Sequence, residues 1–193
     1  MDKKRNSGQQ LQALCGRPSD IVNDAWAPQL EETAISYIEN APLMLLSSVN
    51  ESGFMDISPR GGPPGFIAIL DDKHIAFLDQ PGNKKLHSLY NLLNNPKVGL
   101  MFMIPGVKEI LRAHGIAKLS HDKDEIEKMG GDPGKNKTLV TILIEKVFPH
   151  CPKALDFAHL WDSSTWVDAK ELGVPGLLDM AKGMAASRGE TEH

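Results

Sequence analysis

Short apolar runs separated by turn residues dominate the sequence between residues 43 and 148. Turn signals such as NESG (50–53) and DDK (71–73) separate neighbouring runs, a spacing typical of β-hairpins. There are too few crossover helices for a parallel sheet. Six or seven strands are predicted, over residues 43–49, 54–58, 66–70, 74–79, 98–104, 109–120 and 138–148. Such a sheet loses its exposed edges by closing into a small antiparallel barrel.

Helical periodicity flanks and interrupts these strands. Apolar residues at helical spacing over residues 29–41 predict an amphipathic helix that stops near Pro42. Ser19 or Asp20 is suited to cap a shorter helix before it. Residues 83–96 predict a helix with Leu86, Leu89, Leu92 and Leu93 on one face, and further helices are predicted over residues 123–131, 152–161 and 177–187.

The length of 193 residues fits one domain with additions at both ends. We expect a flexible N-terminal segment over residues 1–18, the barrel domain with its N-terminal helix over residues 19–162, and a C-terminal helical extension over residues 163–193.

The charge balance and the cysteines restrict the possible functions. A net charge of -4 argues against general affinity for nucleic acid or acidic membranes. Cys15 and Cys151 lie far apart and form no disulfide framework. No apolar region follows the basic N-terminus, and no run is long enough to span a bilayer. The sequence therefore predicts a cytoplasmic protein.

Two cationic segments stand out against this background. Arg60 lies in DISPRGGPPGF (56–66), between a predicted strand and a rigid Pro-Gly corner. In DQPGNKKL (79–86), Asn83 is a favoured N-cap residue, which would put Lys84 and Lys85 in the first turn of the next helix. Cations are disfavoured there by the helix dipole, and a bound anion would reverse the sign of this effect. We interpret the two segments as a phosphate site. The alternative is that both lysines project into water.

Several motifs occur together in one order: DISPRGGPPGF, DQPGNKKLHSLYNLLNNPKVGLMFMIPG, LRAHG, FPHCPKAL and a later LW. In this respect the sequence, from about residue 11 to residue 162, resembles a flavoprotein branch of the pyridoxamine 5'-phosphate oxidase-like superfamily. The resemblance implies an FMN-binding split β-barrel, mainly β with flanking helices, of six or seven antiparallel strands. It also implies a homodimer with the flavin at the interface.

The resemblance also implies roles for individual residues. Ser58, Pro59 and Arg60 would contact the ring edge and the phosphate arm of FMN. Asp79 and Gln80 would lie beside the flavin. Cys151 and Lys153 would lie near the flavin or its ribityl chain at a subunit boundary, and Trp161 would cover the ring. The FMN phosphate would be gripped by Asn83, Lys84 and Lys85.

Other positions limit which properties of the family can be expected of this chain. Relatives in this branch carry an acidic residue in place of Gly62 and an Arg-Ser pair in place of Phe157 and Ala158, so the substrate is left open. Arg112 matches a recurrent arginine of the family, and a structural ion pair explains it equally well. The histidines and Cys151 lack the HExxH or CxxC spacing of metal sites, and no GxSxG elbow is present. Neither a metal site nor a serine hydrolase is predicted.

The sequence thus predicts an FMN-dependent oxidoreductase that acts on a small molecule. The alternative is a non-catalytic protein that holds FMN, a deazaflavin or haem for storage, sensing or transfer. A protein whose basic loops bind nothing specific is the third hypothesis.

Overall fold

One antiparallel sheet of seven strands organises the fold. The computed structural model describes residues 8–82 and 84–189. The strands are β1 (Leu43–Val49), β2 (Met55–Gly61), β3 (Ile67–Ile69), β4 (His74–Leu78), β5 (Lys97–Met103), β6 (Ile110–Ser120) and β7 (Leu139–His150). Their order in the sheet is β2-β1-β5-β6-β7-β4-β3, and every neighbouring pair is antiparallel. The sheet curls into a half-barrel, which confirms the predicted mainly β split barrel.

Helices flank this sheet. They are α1 (Gly8–Cys15), α2 (Asp20–Asn23), α3 (Glu32–Asn40), α4 (His87–Asn94), α5 (Lys123–Lys128), α6 (Lys153–Phe157) and α7 (Leu177–Ser187), with a short 3₁₀ helix at Ser163–Thr165. The sequence pattern did not predict α1, whose residues are all exposed. Among the described residues, no helix combines the length and apolar character needed to cross a membrane.

The core lies on the inner face of the curled sheet. Along β1 the buried side chains are Met44, Leu46 and Ser48, and they alternate with partly exposed ones. The long strands β6 and β7 add further buried residues at every second position over much of their length, as expected for a sheet with one face in the core. Helix α3 covers this core with Ala34 and Ile38. The side chain of Glu31 caps α3 by accepting the N–H groups of Thr33 and Ala34.

The predicted start of α4 is wrong. The helix begins at His87, and its N-cap residue is Leu86 in the left-handed conformation (φ 49°). Asn83 lies outside the described residues, so its predicted capping role has no structural account. Lys84 and Lys85 precede the helix and do not occupy its first turn. Lys84 and Leu86 adopt the left-handed conformation, which is disfavoured for residues other than glycine, and the helix begins only after them.

The predicted apolar face of α4 is also only half correct. Leu89 and Leu92 are buried, whereas Leu86 and Leu93 are 44% and 66% exposed. Leu86 lies before the helix, and Leu93 falls beside the buried stripe at 100° per residue. The buried stripe also contains Ser88 and Asn91, so polar side chains fix this face of the helix.

The chain divides into two compact units, Met1–Lys153 and Ala154–His193. The first contains the whole sheet. In the second, Asp162 caps the 3₁₀ helix by accepting the Ser164 N–H, and the Trp166 indole donates to the carbonyl of Leu160. Helix α7 of the second unit has no buried residue. The domain boundaries predicted from the sequence, after residues 18 and 162, stay a prediction.

Candidate functional site

A cavity of about 990 Å³ opens in the first unit, where the two ends of the curled sheet approach each other. Its walls come from the end of β2, from β4 and the residues after it, from residues 84–90, and from the β6–β7 connection. Cavities that hold small molecules and cofactors have volumes of roughly 300 to 1,000 Å³. Apolar side chains form part of the lining, namely Phe66, Phe77, Leu78, Leu89, Leu93 and Leu119.

Arg60 is the central polar residue of this cavity. Its Nη2 atom lies 2.5 Å from the Ser88 hydroxyl oxygen, to which it donates, and 3.5 Å from a carboxylate oxygen of Asp79. Its Nη1 atom donates to the Pro59 carbonyl over 3.1 Å. The Nε atom is buried and has no hydrogen-bond partner among the described residues. A buried donor without a partner is unfavourable, so Arg60 has hydrogen-bonding capacity for a ligand.

Asp79 joins Arg60 to the opposite wall. It directly follows β4, and its N–H donates to the Thr138 carbonyl over 2.9 Å. Burial raises the pKa of the Asp79 carboxyl group above its ordinary value of 3.8, and the positive charge of Arg60 offsets this effect only in part. The carboxylate form of Asp79 is therefore less favoured, relative to the protonated form, in the folded protein than in water.

The segment before α4 contains two non-glycine residues in the left-handed backbone conformation. Lys84 (φ 60°) and Leu86 (φ 49°) are both left-handed, on either side of Lys85. The first N–H groups of α4 have no acceptor within the helix, and no side chain of Leu86 caps them. Both lysines line the cavity.

Polar contacts fix α4 against the inner face of β1 and β2. The Asn91 side-chain amide donates to the Ser48 hydroxyl over 3.0 Å and to the Asp56 carboxylate over 2.7 Å. One turn earlier, Ser88 contacts Arg60. Asp56 and Arg60 project from the same face of β2, four residues apart. The helix N-terminus is thereby held beside Arg60.

The structure brings seven of the sequence-predicted site residues together. Around this one cavity lie Ser58, Pro59, Arg60, Asp79, Gln80, Lys84 and Lys85. Asn83 lies outside the described residues. Cys151 and Lys153 are exposed, follow β7 and are not among the lining residues. Trp161 belongs to the second unit. The predicted contacts of these last three residues with a flavin stay predictions.

A profile of the pyridoxamine 5'-phosphate oxidase family matches residues 30–151. The chain belongs to this family. The match covers the whole sheet and the cavity, and it ends before the second unit. Flavin binding is a property of the family at large, so membership supports it for this chain at that general level.

Solved structures agree on the fold. A structure from Lactobacillus delbrueckii that carries the family's name is 25% identical, covers 63% of this chain and 95% of its own, and superposes with a TM-score of 0.50. HupZ from Group A Streptococcus is 18% identical, with coverages of 62% and 93% and a TM-score of 0.50, and it shows the fold alone. No curated protein matches the chain.

The glycine at position 62 has a structural explanation. A Cβ atom at this position would lie 2.7 Å from Cβ and 2.9 Å from Cγ of Phe66. The Cβ and Cγ atoms of Phe66 lie next to its backbone and are not the free end of a flexible side chain. They cannot move away unless the backbone moves. Phe66 therefore occupies the space that a larger residue 62 would need, and it presents its ring to the cavity.

Sequence reasoning missed several residues of the cavity. Ser88, His121, Lys135 and Lys137 all line it. Ser88 and Asn91 are three residues apart in a leucine-rich helix, and this polar pair was the available signal. The two lysines lie in a turn-like segment, DPGKNKT (132–138), which resembles an ordinary solvated loop. No local pattern assigns that segment to the site.

Arg112 contacts an aromatic ring and a histidine, neither of which was predicted from the sequence. Its guanidinium carbon lies 4.9 Å from the ring centroid of Phe148, and Nη1 lies 3.4 Å from Nδ1 of His150. The arginine stacks on an aromatic ring. Among the described residues, no group of three or more His, Cys, Asp or Glu side chains is placed to hold a metal ion.

The raised pKa of Asp79 predicts a pH effect on stability. The folded state retains the Asp79 proton to a higher pH than the unfolded state, so the free energy of unfolding falls as pH rises from about 4 through the raised pKa. Asp79→Asn removes this dependence. In urea denaturation series across this range, the free energy of unfolding of the wild type should decrease relative to that of the variant as pH rises.

Asp71→Asn is the matched control, because the pKa of Asp71 is lowered and its effect on stability therefore depends on pH with the opposite sign. The Asp71 carboxylate accepts the Lys73 N–H over 2.7 Å, and this bond chiefly lowers its pKa. Wild type should therefore lose stability relative to Asp71→Asn as pH falls through the lowered pKa. Parallel pH profiles for wild type and Asp79→Asn would contradict the assignment of a raised pKa to Asp79.

Proposed function

We propose that this protein binds FMN in the cavity and acts as an FMN-dependent oxidoreductase on a small molecule. The observation that carries the proposal is the convergence of Arg60, Lys84 and Lys85, from separate segments, on one cavity beside the N-terminus of α4. Family membership supports a flavin as the ligand.

The phosphate of FMN belongs, in this proposal, at the cationic end of the cavity. Arg60 offers the unpartnered Nε–H, which a phosphate oxygen would accept. Lys84 and Lys85 contribute positive charge, and the first N–H groups of α4, which have no acceptor within the helix, favour an anion through the helix dipole. The positive φ angles of Lys84 and Leu86 are unfavourable by roughly 1 to 2 kcal/mol each. A bound phosphate would offset this cost.

The isoalloxazine ring belongs along the apolar part of the lining. Phe66, Phe77 and Leu119 provide a surface against which a flat aromatic ring can pack. Ser58, within β2, and Asp79 and Gln80, directly after β4, line the same cavity and carry the polar groups suited to the ring edge. The cavity thus offers an apolar and a charged part, as FMN requires.

FMN supplies the redox chemistry of the reaction when it is bound. The residues of the chain anchor the phosphate, orient the ring and exclude water from one side of it. This division of tasks needs no protein nucleophile. Ser88 and Asn91 contribute indirectly, because their hydrogen bonds to Arg60 and Asp56 hold α4 in position beside β2.

A homodimer completes the proposal. Met55 and Ile57, on the outer face of edge strand β2, are 70% and 68% exposed. Neighbouring exposed apolar side chains on an edge strand favour association with a second chain. In such a dimer Cys151, Lys153 and Trp161 are assigned to the flavin bound by the other copy.

Removal of the lysine charges tests the phosphate site. Lys84→Ala combined with Lys85→Ala should weaken FMN binding by several kcal/mol, since charge-assisted contacts contribute roughly 1.5 to 3 kcal/mol each. Both side chains are exposed, so the fold should be barely altered. Isothermal titration with FMN and thermal unfolding without FMN measure the two effects separately.

Lys123→Ala with Lys128→Ala is the control for this experiment. It removes the same charge from exposed positions of α5 that do not line the cavity, and FMN affinity should stay within about threefold of wild type, as expected for screened charges. FMN affinity that is equal in all three proteins would place the phosphate elsewhere and refute the proposed site.

Anaerobic reduction distinguishes an enzyme from a holding protein. Bound FMN should lose its visible absorbance when NADPH or NADH is added, because an oxidoreductase gives a donor access to the ring. Free FMN at the same concentration is the control for direct reduction. If no donor tried reduces the bound flavin, the result favours a non-catalytic protein that stores, senses or transfers its ligand.

A further inference from the structure

Asp79 carries the single carboxyl group in the described lining of the cavity. Its Oδ1 atom lies 3.5 Å from Nη2 of Arg60, the residue that the proposed function assigns to the FMN phosphate. Carboxylates and phosphates are both anionic acceptors, and the guanidinium group of arginine binds either of them through its N–H groups. The Asp79 carboxylate therefore competes with the phosphate of FMN for Arg60.

The backbone keeps Asp79 at this place in the cavity. Its N–H donates to the Thr138 carbonyl over 2.9 Å, and its carbonyl accepts the side-chain amide of Asn136 over 3.4 Å. Asn136 is itself buried. The carboxyl group of Asp79 can turn about its side-chain bonds, but these two backbone contacts keep it in the cavity when a ligand enters.

Arg60 is held in place as well. Its Nη1 atom donates to the Pro59 carbonyl over 3.1 Å, and its Nη2 atom donates to the Ser88 hydroxyl oxygen over 2.5 Å. Its buried Nε atom has no partner among the described residues. An anion that binds this guanidinium group therefore comes to lie beside Asp79, since neither residue is free to move far from the other.

Two negative groups beside one guanidinium group oppose each other. A second negative charge close to a carboxyl group disfavours its ionised form. Burial already raises the pKa of Asp79, and the positive charge of Arg60 offsets this effect only in part. A phosphate bound to Arg60 neutralises the charge that stabilises the carboxylate, so it acts in the same direction as burial. Uptake of a proton from the solvent by Asp79 removes the repulsion.

Other charged or titratable side chains of the described lining share the cavity with this pair. Those that belong to residues 84–87, at the start of α4, or to the connection between β6 and β7 are Lys84, Lys85, His87, His121, Lys135 and Lys137. The cations among them attract the phosphate. The charge of Arg60 acts directly on the Asp79 carboxyl group, so the loss of this charge to a bound anion is felt at Asp79.

We propose that binding of the FMN phosphate at Arg60 is coupled to protonation of Asp79, so that the cavity takes up a proton together with its cofactor. The inference rests on the proposed function, in which the phosphate lies at this end of the cavity. In the free protein the Asp79 carboxylate holds Arg60. In the loaded protein the neutral carboxyl group can donate a hydrogen bond to the ligand. Proton and cofactor then favour each other's binding.

The sign of the pH dependence follows from this coupling. A bound phosphate raises the pKa of Asp79 further than burial alone does. FMN therefore binds best where Asp79 is protonated in the free protein, and its affinity falls as pH rises through the pKa of Asp79 in that state. Loading with FMN is thus favoured at lower pH.

Isothermal titration with FMN from about pH 5 to about pH 8, in buffers without phosphate and at constant ionic strength, tests the coupling. Asp79→Asn keeps the shape of the side chain and cannot ionise. Its FMN affinity should match that of wild type within about threefold at the low end and exceed it at least about tenfold at the high end, because one pKa unit corresponds to tenfold in binding. The cavity histidines and the phosphate exchange protons equally in both proteins.

A proton count gives an independent measurement. At one pH, the heat of FMN binding in buffers of different ionisation enthalpy reports the number of protons taken up. Wild type should take up more protons than Asp79→Asn, by as much as about one for each chain. Asp79→Ser removes the charge without adding an amide, and it should bind FMN more tightly than wild type at high pH in the same way.

Two controls separate this effect from others. Asp71→Asn removes an exposed carboxylate that does not line the cavity, and its FMN affinity should stay within about threefold of wild type at every pH, as expected for a screened charge. Riboflavin lacks the phosphate group. Its affinity for wild type and for Asp79→Asn should show the same dependence on pH.

Each other outcome is decisive. Equal FMN affinity of wild type and both Asp79 variants across the pH range overturns the coupling and leaves FMN binding intact. Weaker FMN binding by both variants at every pH assigns Asp79 to the positioning of Arg60 and overturns it as well, as does a difference that persists with riboflavin. If wild type binds no FMN at any pH, the proposed function fails. The same proton count with inorganic phosphate then decides whether Arg60 and Asp79 bind an anion together with a proton.

Discussion

The ion pair between Arg60 and Asp79 joins strands that are far apart in the sheet. Arg60 lies on β2, at one end of the strand order, and Asp79 follows β4, which is separated from β2 by four strands. Their side-chain atoms approach to 3.5 Å only because the sheet curls. This contact bridges the opening of the half-barrel and forms one wall of the cavity. The candidate site depends on it, since it orients the arginine and fixes the end of β4.

The contacts around this pair are polar and coupled. Ser88 accepts from the same guanidinium nitrogen that faces Asp79, and Asn91, one turn later, holds Asp56 and Ser48. Removal of one partner from such a network leaves the others buried without a hydrogen bond, which is more costly than the loss of one exposed contact. The network therefore positions the N-terminus of α4, where the proposed phosphate site lies, relative to β2.

Much of the fold was predictable because its signals are local. Apolar runs and hairpin turns located all seven strands to within a few residues, and helical spacing located α3 and α7. The start of α4 was not predictable in this way. Lys84 and Leu86 are left-handed without being glycine, and no propensity favours that conformation.

The site was predictable only in part, for a related reason. Arg60 and the two lysines before α4 were identified because unusual charges stand next to strand and helix ends. Lys135 and Lys137 line the cavity because the Asn136 amide between them donates to the Asp79 carbonyl, a contact between residues 57 positions apart in the chain. Cys151 and Lys153 were placed by resemblance, and the fold of one chain does not bring them to the cavity lining.

The central claim is that Arg60, with Lys84 and Lys85, holds the phosphate of FMN across the opening of the half-barrel. The most direct measurement is an experimental structure of the protein with FMN. The account predicts phosphate oxygens about 2.7 to 3.2 Å from the Arg60 guanidinium and from at least one of the two lysine ammonium groups. An FMN phosphate located outside this cavity, with Arg60 still bound only to Ser88, Pro59 and Asp79, would contradict it.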